Sequence, residues 1–580
     1  LHTEAEITAG FLSLGYTPRA LQVEAVQDVL AAFELGKRFV FLDAPCGSGK
    51  SLLALVIRKL LNKRAVIVTA TNALGEQYER DYSTIEAKDS VREARGTWKA
   101  EHVGLPLVMG ADQYPCEVRR IKFHNQATAG SCYRKSRYFY TNFLTEPVEC
   151  STCKFSITRQ RKHEDVSVTN YPYYIIDQLY VKPMGGSHGE KDNPSSWHDV
   201  DLGIFDEAHL INEQFAQHYV IFYSIERGQE YLSDIRKALG VHSKYEAAYA
   251  NVFRIIDENI KRGSIGPNNH MRFVDMLGKF YRNFHDLCET MQMYAKEEAR
   301  YDQLGALSHK YHNLFCKIDD YHKYKYEVVI DVKKGEGSMA VQPIFIGELS
   351  QELLQEHNLF MSATINYEFM LKTMALDPEE CQLVKVAYSF QPDDKTIDFR
   401  RARSFINYAN MYSDVTIYSF LEAIEAILAD HPTDNGVVIA NSFKMAEELA
   451  GVLSSTHEIM LHTSAEPAKE IILRFKQATK PTLLLSPSLF EGVDFPGAVS
   501  RFQILPKAPY LSLAAKRMYY ISRKHRGVYL QMSIKRMIQA FGRSSRASGD
   551  KAVTYVLDLN AEKLFRSKHN TWKEQFTVIR

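Results

Sequence analysis

The chain has 580 residues, of which 45% are hydrophobic and 24% charged. That balance excludes a disordered or collagen-like chain, and ~150 residues per domain makes the length about four domains. Lys plus Arg number 71 and Asp plus Glu 70, so bulk charge points to no polyanionic partner. No apolar run approaches the ~18 residues that a membrane helix needs. The first residues, Leu1-His2-Thr3-Glu4, lack the layout of a signal peptide and an initiator Met, so the natural chain is expected to begin upstream. Eight Cys are too few for a disulfide scaffold, and clustered Cys in an intracellular chain suggests metal. Four of them, Cys116, Cys132, Cys150 and Cys153, fall within 38 positions.

Charge is segregated along the chain. From Lys507 to Arg546 there are ten basic residues and no acid, and from Asp112 to His163 ten basic residues against four acids. Each segment suits a polyanion or makes a solvated basic face.

Apolar runs predict buried parallel strands at Phe39–Ala44, Ala65–Ala70, Leu202–Asp206 and Leu359–Ala363, with chemistry at their carboxyl ends. A helix is expected over Ser51–Leu61. A second set, Gly436–Asn441, Pro481–Ser486, Phe502–Leu505 and Ala552–Asp558, predicts a second α/β unit. Two regions interrupt the first unit. One is the Cys segment, Asp112–Asp165. The other, Gln214–Lys334, carries Phe273, Leu277, Phe280, Phe284, Leu287 and Met291 at helical spacing. It reads as a mostly helical insert, closed by the hairpin-like turn Lys333-Lys334-Gly335-Glu336-Gly337.

After the first predicted strand comes Ala44-Pro45-Cys46-Gly47-Ser48-Gly49-Lys50-Ser51, then an apolar helix. Strand, small-residue loop, Gly-Lys-Ser and helix is what a triphosphate needs. Glycines let backbone N–H groups wrap the phosphates, and the helix N-terminus adds its positive end. Lys50 is expected at the β- and γ-phosphates and the Ser51 hydroxyl on Mg²⁺. The strand Leu202–Asp206 ends in Asp206-Glu207-Ala208-His209. Asp206 is expected to hold Mg²⁺, Glu207 to act as general base, and His209 to pass nucleotide state onward.

The four cysteines follow the spacing Cys116-x15-Cys132-x17-Cys150-x2-Cys153. By spacing alone this fits structural zinc or an iron–sulfur cluster. Around them lie Arg119, Arg120, Lys122, Arg134, Lys135, Arg137, Arg159, Arg161 and Lys162, interleaved with Tyr114, Tyr133, Tyr138, Phe139, Tyr140 and Phe155. Cations with aromatic faces suit single-stranded nucleic acid, and the same aromatics suit the core of a small metal domain.

With Asp206-Glu207-Ala208-His209 in view, the chain resembles superfamily 2 helicases of the XPD/DinG branch, the iron–sulfur helicases. Arg19 and Gln22 resemble the adenine-sensing glutamine region. Thr69-Ala70-Thr71-Asn72-Ala73-Leu74 through Gln77 resembles the motif beside the DNA backbone, and Ser362-Ala363-Thr364 the one coupling hydrolysis to movement. Glu491-Gly492-Val493-Asp494-Phe495-Pro496-Gly497 looks like the fifth motif, with Gly492 and Asp494 at the nucleotide. Gln539-Ala540-Phe541-Gly542-Arg543-Ser544-Ser545-Arg546 looks like the sixth. Asn170-Tyr171-Pro172-Tyr173 resembles a family stretch that follows the cluster domain.

The resemblance implies two RecA-like α/β motor domains, with a cluster domain and a helical arch inserted in the first. The first motor domain would comprise residues 1–111, 166–213 and 346–390, the cluster domain 112–165, the arch 214–345 and the second motor domain 391–580. It implies ATP and Mg²⁺, a [4Fe–4S] cluster on Cys116, Cys132, Cys150 and Cys153, and Arg543 and Arg546 reaching the γ-phosphate, with Gln539 beside them. The expected activity is ATP-dependent 5′→3′ translocation on single-stranded DNA with unwinding of forked or tailed duplexes, by a monomer. The rivals are an RNA or RNA–DNA hybrid helicase and an ATP-switched DNA clamp. The cytoplasm (nucleoid-associated), or the nucleus of a eukaryote, would be its place.

Overall fold

The structure is a computed structural model. It describes the chain apart from residues 1, 46, 84–85, 88–101, 111–112, 115–153, 155–157, 159–160, 163, 182–196, 198–199, 242, 264–266, 387–393, 490–494, 496 and 545–550.

Two seven-stranded sheets, all parallel, organise the chain. The first runs Cys381–Lys385, Phe39–Asp43, His357–Ser362, Leu202–Asp206, Ala65–Thr69, Val166–Asn170, Leu107–Val108. Its central strands Phe39–Asp43, His357–Ser362, Leu202–Asp206 and Ala65–Thr69 read as largely apolar runs because both faces are covered. Val40 and Leu42 enter one core, under the helices Glu4–Ser13, Ala20–Glu34 and Lys50–Leu61. Phe39 and Phe41 enter the opposite core, with Phe205 and Phe360. The second sheet runs Glu458–Leu461, Thr482–Ser486, Gly436–Ile439, Phe502–Leu505, Ala552–Val556, Lys395–Asp398, Thr577–Ile579. It alternates in the same way, with Val437 and Ile439 to one core and Val438 to the other. These are two RecA-like α/β units.

Leu202–Asp206 and Phe502–Leu505 form as predicted, the other predicted strands form with ends moved by one or two residues, and the predicted helix forms as Lys50–Leu61. Several strands carry no apolar run and were not expected. Val166–Asn170 places Ser167 and Thr169 in a buried strand, where the Ser167 hydroxyl accepts from the Trp197 indole (2.8 Å) and Thr169 donates to Val108 O (2.8 Å). Satisfied hydroxyls let polar residues into a sheet interior.

The helical insert stands on an antiparallel sheet of Ile221–Ser224, Ser338–Pro343 and Val328–Lys333. The turn at Lys334–Glu336 does join a hairpin. Four helices follow Ser224: Ile225–Leu239, Lys244–Arg262, Pro267–Met293 and Glu298–Tyr324. Phe273, Leu277, Phe280 and Phe284 are buried in this core. Gly278 sits at the helix crossing, where an added Cβ would meet Ile318 Cγ2 at 3.0 Å.

The base hairpin of the insert is gripped by the second unit. Arg517 of helix Lys516–Lys524 donates to Pro343 O (2.8 Å) and Ile344 O (2.9 Å). Glu327 accepts from Tyr520 and pairs with His525 (3.0 Å). Ile344, Ile521 and Tyr529 form a small apolar cluster between them. Among the described residues no helix is long and apolar enough to cross a membrane.

Candidate active site

Strand register builds the floor of the site. Asp43 stands opposite Ser362 on one side and Lys385 on the other, and Met361, just before Ser362, stands opposite Asp206. The carboxyl ends of three neighbouring strands thus bring Asp43, Ser362 and Asp206 to one crevice, where open parallel sheets bind ligands.

The loop after Asp43 wraps this crevice. Gly47 and Gly49 adopt φ of +78° and +83°, a region open to glycine. A Cβ at Gly49 would also strike Gln22 Nε2 at 2.7 Å. Gln22 donates to Ser48 O (2.8 Å) and accepts from the Arg19 amide (2.9 Å), while the Arg19 side chain donates to Gly47 O (2.9 Å). The upstream Arg19 and Gln22 therefore hold the loop's backbone. Lys50 Nζ lies 3.3 Å from Ala44 O, inside the loop. Among the described residues the buried Ser48 hydroxyl has no hydrogen-bond partner. Pro45 and Ser51 flank this cradle, with Ser51 in the first turn of Lys50–Leu61. Free donors at a helix N-terminus fit an anion, and the Ser51 hydroxyl and Asp206 fit a cation beside it.

Asp206 and Glu207 are neighbours in unlike settings. Asp206 is buried, its Oδ1 accepting from the Glu207 amide (2.9 Å) and its Oδ2 from the Tyr78 hydroxyl (2.8 Å). Burial and the adjacent Glu207 push Asp206 up to about 6, against the pull of Lys50 and Tyr78. Glu207 faces the cleft with 34% of its side chain exposed, at φ +50°, which non-glycine residues seldom adopt. Burial raises Glu207, but the hydrogen bond and charge of His209, with Lys50 and Arg543, outweigh it and hold it well below the carboxylate range. Burial likewise pushes Asp43 up to about 6.

His209 links this pair to the second unit. Its Nδ1 lies 2.8 Å from Ser362 Oγ and 3.1 Å from Glu207 Oε2. Its Nε2 lies 2.9 Å from Gln539 Nε2, and Lys535 donates to its carbonyl (3.1 Å). His209 is thus held by Gln539 at one ring nitrogen and by Ser362 and Glu207 at the other. Gln539 and Lys535 belong to the helix Arg526–Phe541, and Arg543, buried just beyond it, is close enough to lower Glu207. An ionised carboxylate, a buried carboxylate and cations from a second domain, all beside a phosphate cradle, can activate water and steady a charged transition state.

The structure thus brings together Gln22, Pro45, Gly47, Ser48, Gly49, Lys50, Ser51, Asp206, Glu207, Gln539 and Arg543. Cys46, Gly492, Asp494, Arg546 and the four clustered cysteines, Cys116, Cys132, Cys150 and Cys153, lie outside the described residues. Sequence reasoning missed Tyr78, which is 1% exposed and 128 positions from the carboxylate it serves. A single Tyr on an amphipathic helix carries no signal of its own.

Residues 424–573 match the family model described as helicase C-terminal domain, and residues 15–236 the model described as type III restriction enzyme, res subunit. No curated protein matches the sequence. Among solved structures, Xpd4 of S. tokodaii is similar at 15% identity and TM-score 0.56, over 97% of this chain and all (100%) of that one. A structure described as XPD helicase is similar at 14% identity and TM-score 0.53, over 97% and 99% of the two chains. An apo XPD structure gives 13% identity and TM-score 0.50, over 97% and 100%. The fold is therefore that of XPD helicases.

Proposed function

We propose that this chain, a helicase of the XPD type in its fold and its matched helicase segments, is an ATP-driven motor that moves 5′→3′ on single-stranded DNA and unwinds forked or tailed duplexes. The observation that carries it is the bridge from Glu207 through His209 to Gln539 and Lys535, which ties the reactive carboxylate to the second motor domain. Chemistry joined across a cleft makes turnover depend on closure, and closure in turn can move a bound strand.

In this reading the loop from Pro45 to Ser51 cradles the triphosphate and Gln22 braces it near the base. Mg²⁺ bound with the nucleotide would neutralise developing charge on the phosphate oxygens, and Ser51 and Asp206 are the residues placed to hold it. Glu207 takes the proton of the attacking water, with His209 and Ser362 fixing its orientation. Arg543 steadies the transition state, and Arg546, Gly492 and Asp494 complete the nucleotide site. Cys116, Cys132, Cys150 and Cys153 would hold a [4Fe–4S] cluster, a reading supported by their place in the chain between the strands Leu107–Val108 and Val166–Asn170. The cluster segment 112–165 and the helical arch 214–345 would stand on the first motor domain (1–111, 166–213, 346–390) and meet the fork. Residues 391–580 form the second motor domain, and the protein acts as a monomer.

The test pairs strand-stimulated ATP hydrolysis with unwinding of 5′-tailed DNA, RNA and hybrid duplexes. The proposal expects stimulation by DNA strands, unwinding of the 5′-tailed DNA duplex, and loss of both in Glu207→Gln. Preference for RNA or hybrid would move the substrate class. Turnover without strand separation would leave an ATP-switched clamp. Anaerobic iron and sulfide analysis tests the cluster, for which about four iron atoms per chain are expected; zinc would overturn it.

A further inference from the structure

Tyr78 is the one side chain whose hydroxyl reaches Oδ2 of Asp206 among the described residues. It comes from the helix Asn72–Asp81, fixed at its start by Thr71, whose side chain accepts from the Leu74 amide. The ring is 1% exposed and packs at 5.9 Å from the ring of Tyr82. Its hydroxyl is 2.8 Å from Asp206 and also interacts with Ser51. The phenol is thus hydrogen-bonded to Asp206 and close to Ser51, the two side chains that fit a nucleotide-bound cation. The other oxygen, Oδ1, accepts from the Glu207 amide at 2.9 Å. The carboxylate is thereby held at both oxygens, which fixes its plane, and each oxygen keeps a lone pair beyond the one these donors use.

From this geometry we propose that Tyr78 is a positioning residue for Asp206, setting the carboxylate plane that a nucleotide-bound Mg²⁺ meets. This rests on the reading of Asp206 as the metal-holding carboxylate. A buried carboxylate that loses one of two fixed donors can rotate away from its working plane, so the cation should bind less well while the phosphate cradle stays intact. Tyr171 supplies a control. It is also wholly buried and close to Asp206 and Glu207, yet among the described residues its hydroxyl has no hydrogen-bond partner.

The experiment titrates a fluorescent ADP into the full-length chain and into Tyr78→Phe, Tyr171→Phe and Asp206→Asn, first in EDTA and then over a range of Mg²⁺ concentrations. In Tyr78→Phe the Mg²⁺ needed for half-maximal effect should rise about tenfold, the size of one hydrogen bond to a charged group. Affinity in EDTA and the melting temperature should match wild type, and Tyr171→Phe should match it throughout. An unchanged or lowered Mg²⁺ requirement in Tyr78→Phe, with Asp206→Asn impaired, overturns the role of Tyr78 and leaves Asp206 as metal carboxylate. Loss of EDTA affinity and melting temperature in Tyr78→Phe also overturns it, because that is packing alone. If Asp206→Asn keeps the wild-type Mg²⁺ dependence, the reading of Asp206 falls and the proposal with it.

Discussion

Each parallel sheet carries a buried aspartate at or just beyond the carboxyl end of a strand, and the two are used differently. Asp206 in the first domain accepts from one backbone amide and one phenol, one donor on each oxygen. Asp558 in the second accepts from the amides of Ile406 (3.0 Å), Asn560 (2.8 Å) and Ala508 (2.9 Å). Burial raises Asp558, against those three amides. Saturation by backbone makes Asp558 a clasp that caps the helix Leu559–Phe565 and pins the loops at Ile406 and Ala508 beside the sheet. Partial satisfaction leaves Asp206 capacity for a ligand. Residue type and position on a strand do not separate these roles; the donors spent on each oxygen do.

The largest effect should come from breaking the reactive side. Glu207→Gln keeps shape and removes the base that the proposed function assigns to Glu207, so ATP turnover should fall by about 10³ while nucleotide binding, read by fluorescent ADP, stays near wild type. Asp558→Ala should do the reverse. It strands two buried amides and a half-buried one and should cost about 3 kcal/mol in urea unfolding, with turnover per folded molecule retained. If Asp558→Ala folds normally and loses hydrolysis instead, the contrast between the two aspartates is wrong.

Much of this contrast was legible in the sequence on one side only. The phosphate loop and Asp206-Glu207-Ala208-His209 are contiguous, so strand, turn and chemistry appear in one window. Gln539 and Arg543 were legible through the order of motifs that resemble a family. Tyr78 and Asp558 were not. Their partners lie far off in the chain, at 128 positions for Tyr78 and 152 for Asp558 with Ile406, and tertiary packing alone creates the contact. The three-stranded base of the insert was missed for a similar reason. Only its turn at Lys334–Glu336 has a local signature, while Ile221–Ser224 is four residues that become a strand by pairing with Ser338–Val341.

A half-buried group, His218 at the end of helix Ile211–His218, sharpens the comparison with pH. Burial, with the nearby Lys317 ammonium, lowers it to about 3, so it is neutral in the fold. The unfolded chain takes up a proton there below pH ~6.5, which the folded chain does not, so stability drains as pH falls from ~6.5 toward the folded value. At pH 5 this is at most about 2 kcal/mol. His218→Gln should flatten the loss of melting temperature between pH 7 and pH 5, with the ATP site untouched. An unaltered slope would mean that His218 is protonated in the fold.

The smallest effect expected is at the join between the two domains. Gln539→Ala removes the contact that fixes the His209 ring while leaving Glu207, Ser362 and Lys50 in place. Turnover should fall about tenfold, worth ~1.4 kcal/mol, with little change in KM for ATP. Because Gln539 acts through His209, the double variant with His209→Ala should lose little more than His209→Ala alone. Additive losses would mean that Gln539 serves the nucleotide or the second domain directly. Strong coupling would make the imidazole the part through which the saturated, structural domain governs the reactive one, and would give the rate of hydrolysis a dependence on closure that neither sheet possesses by itself.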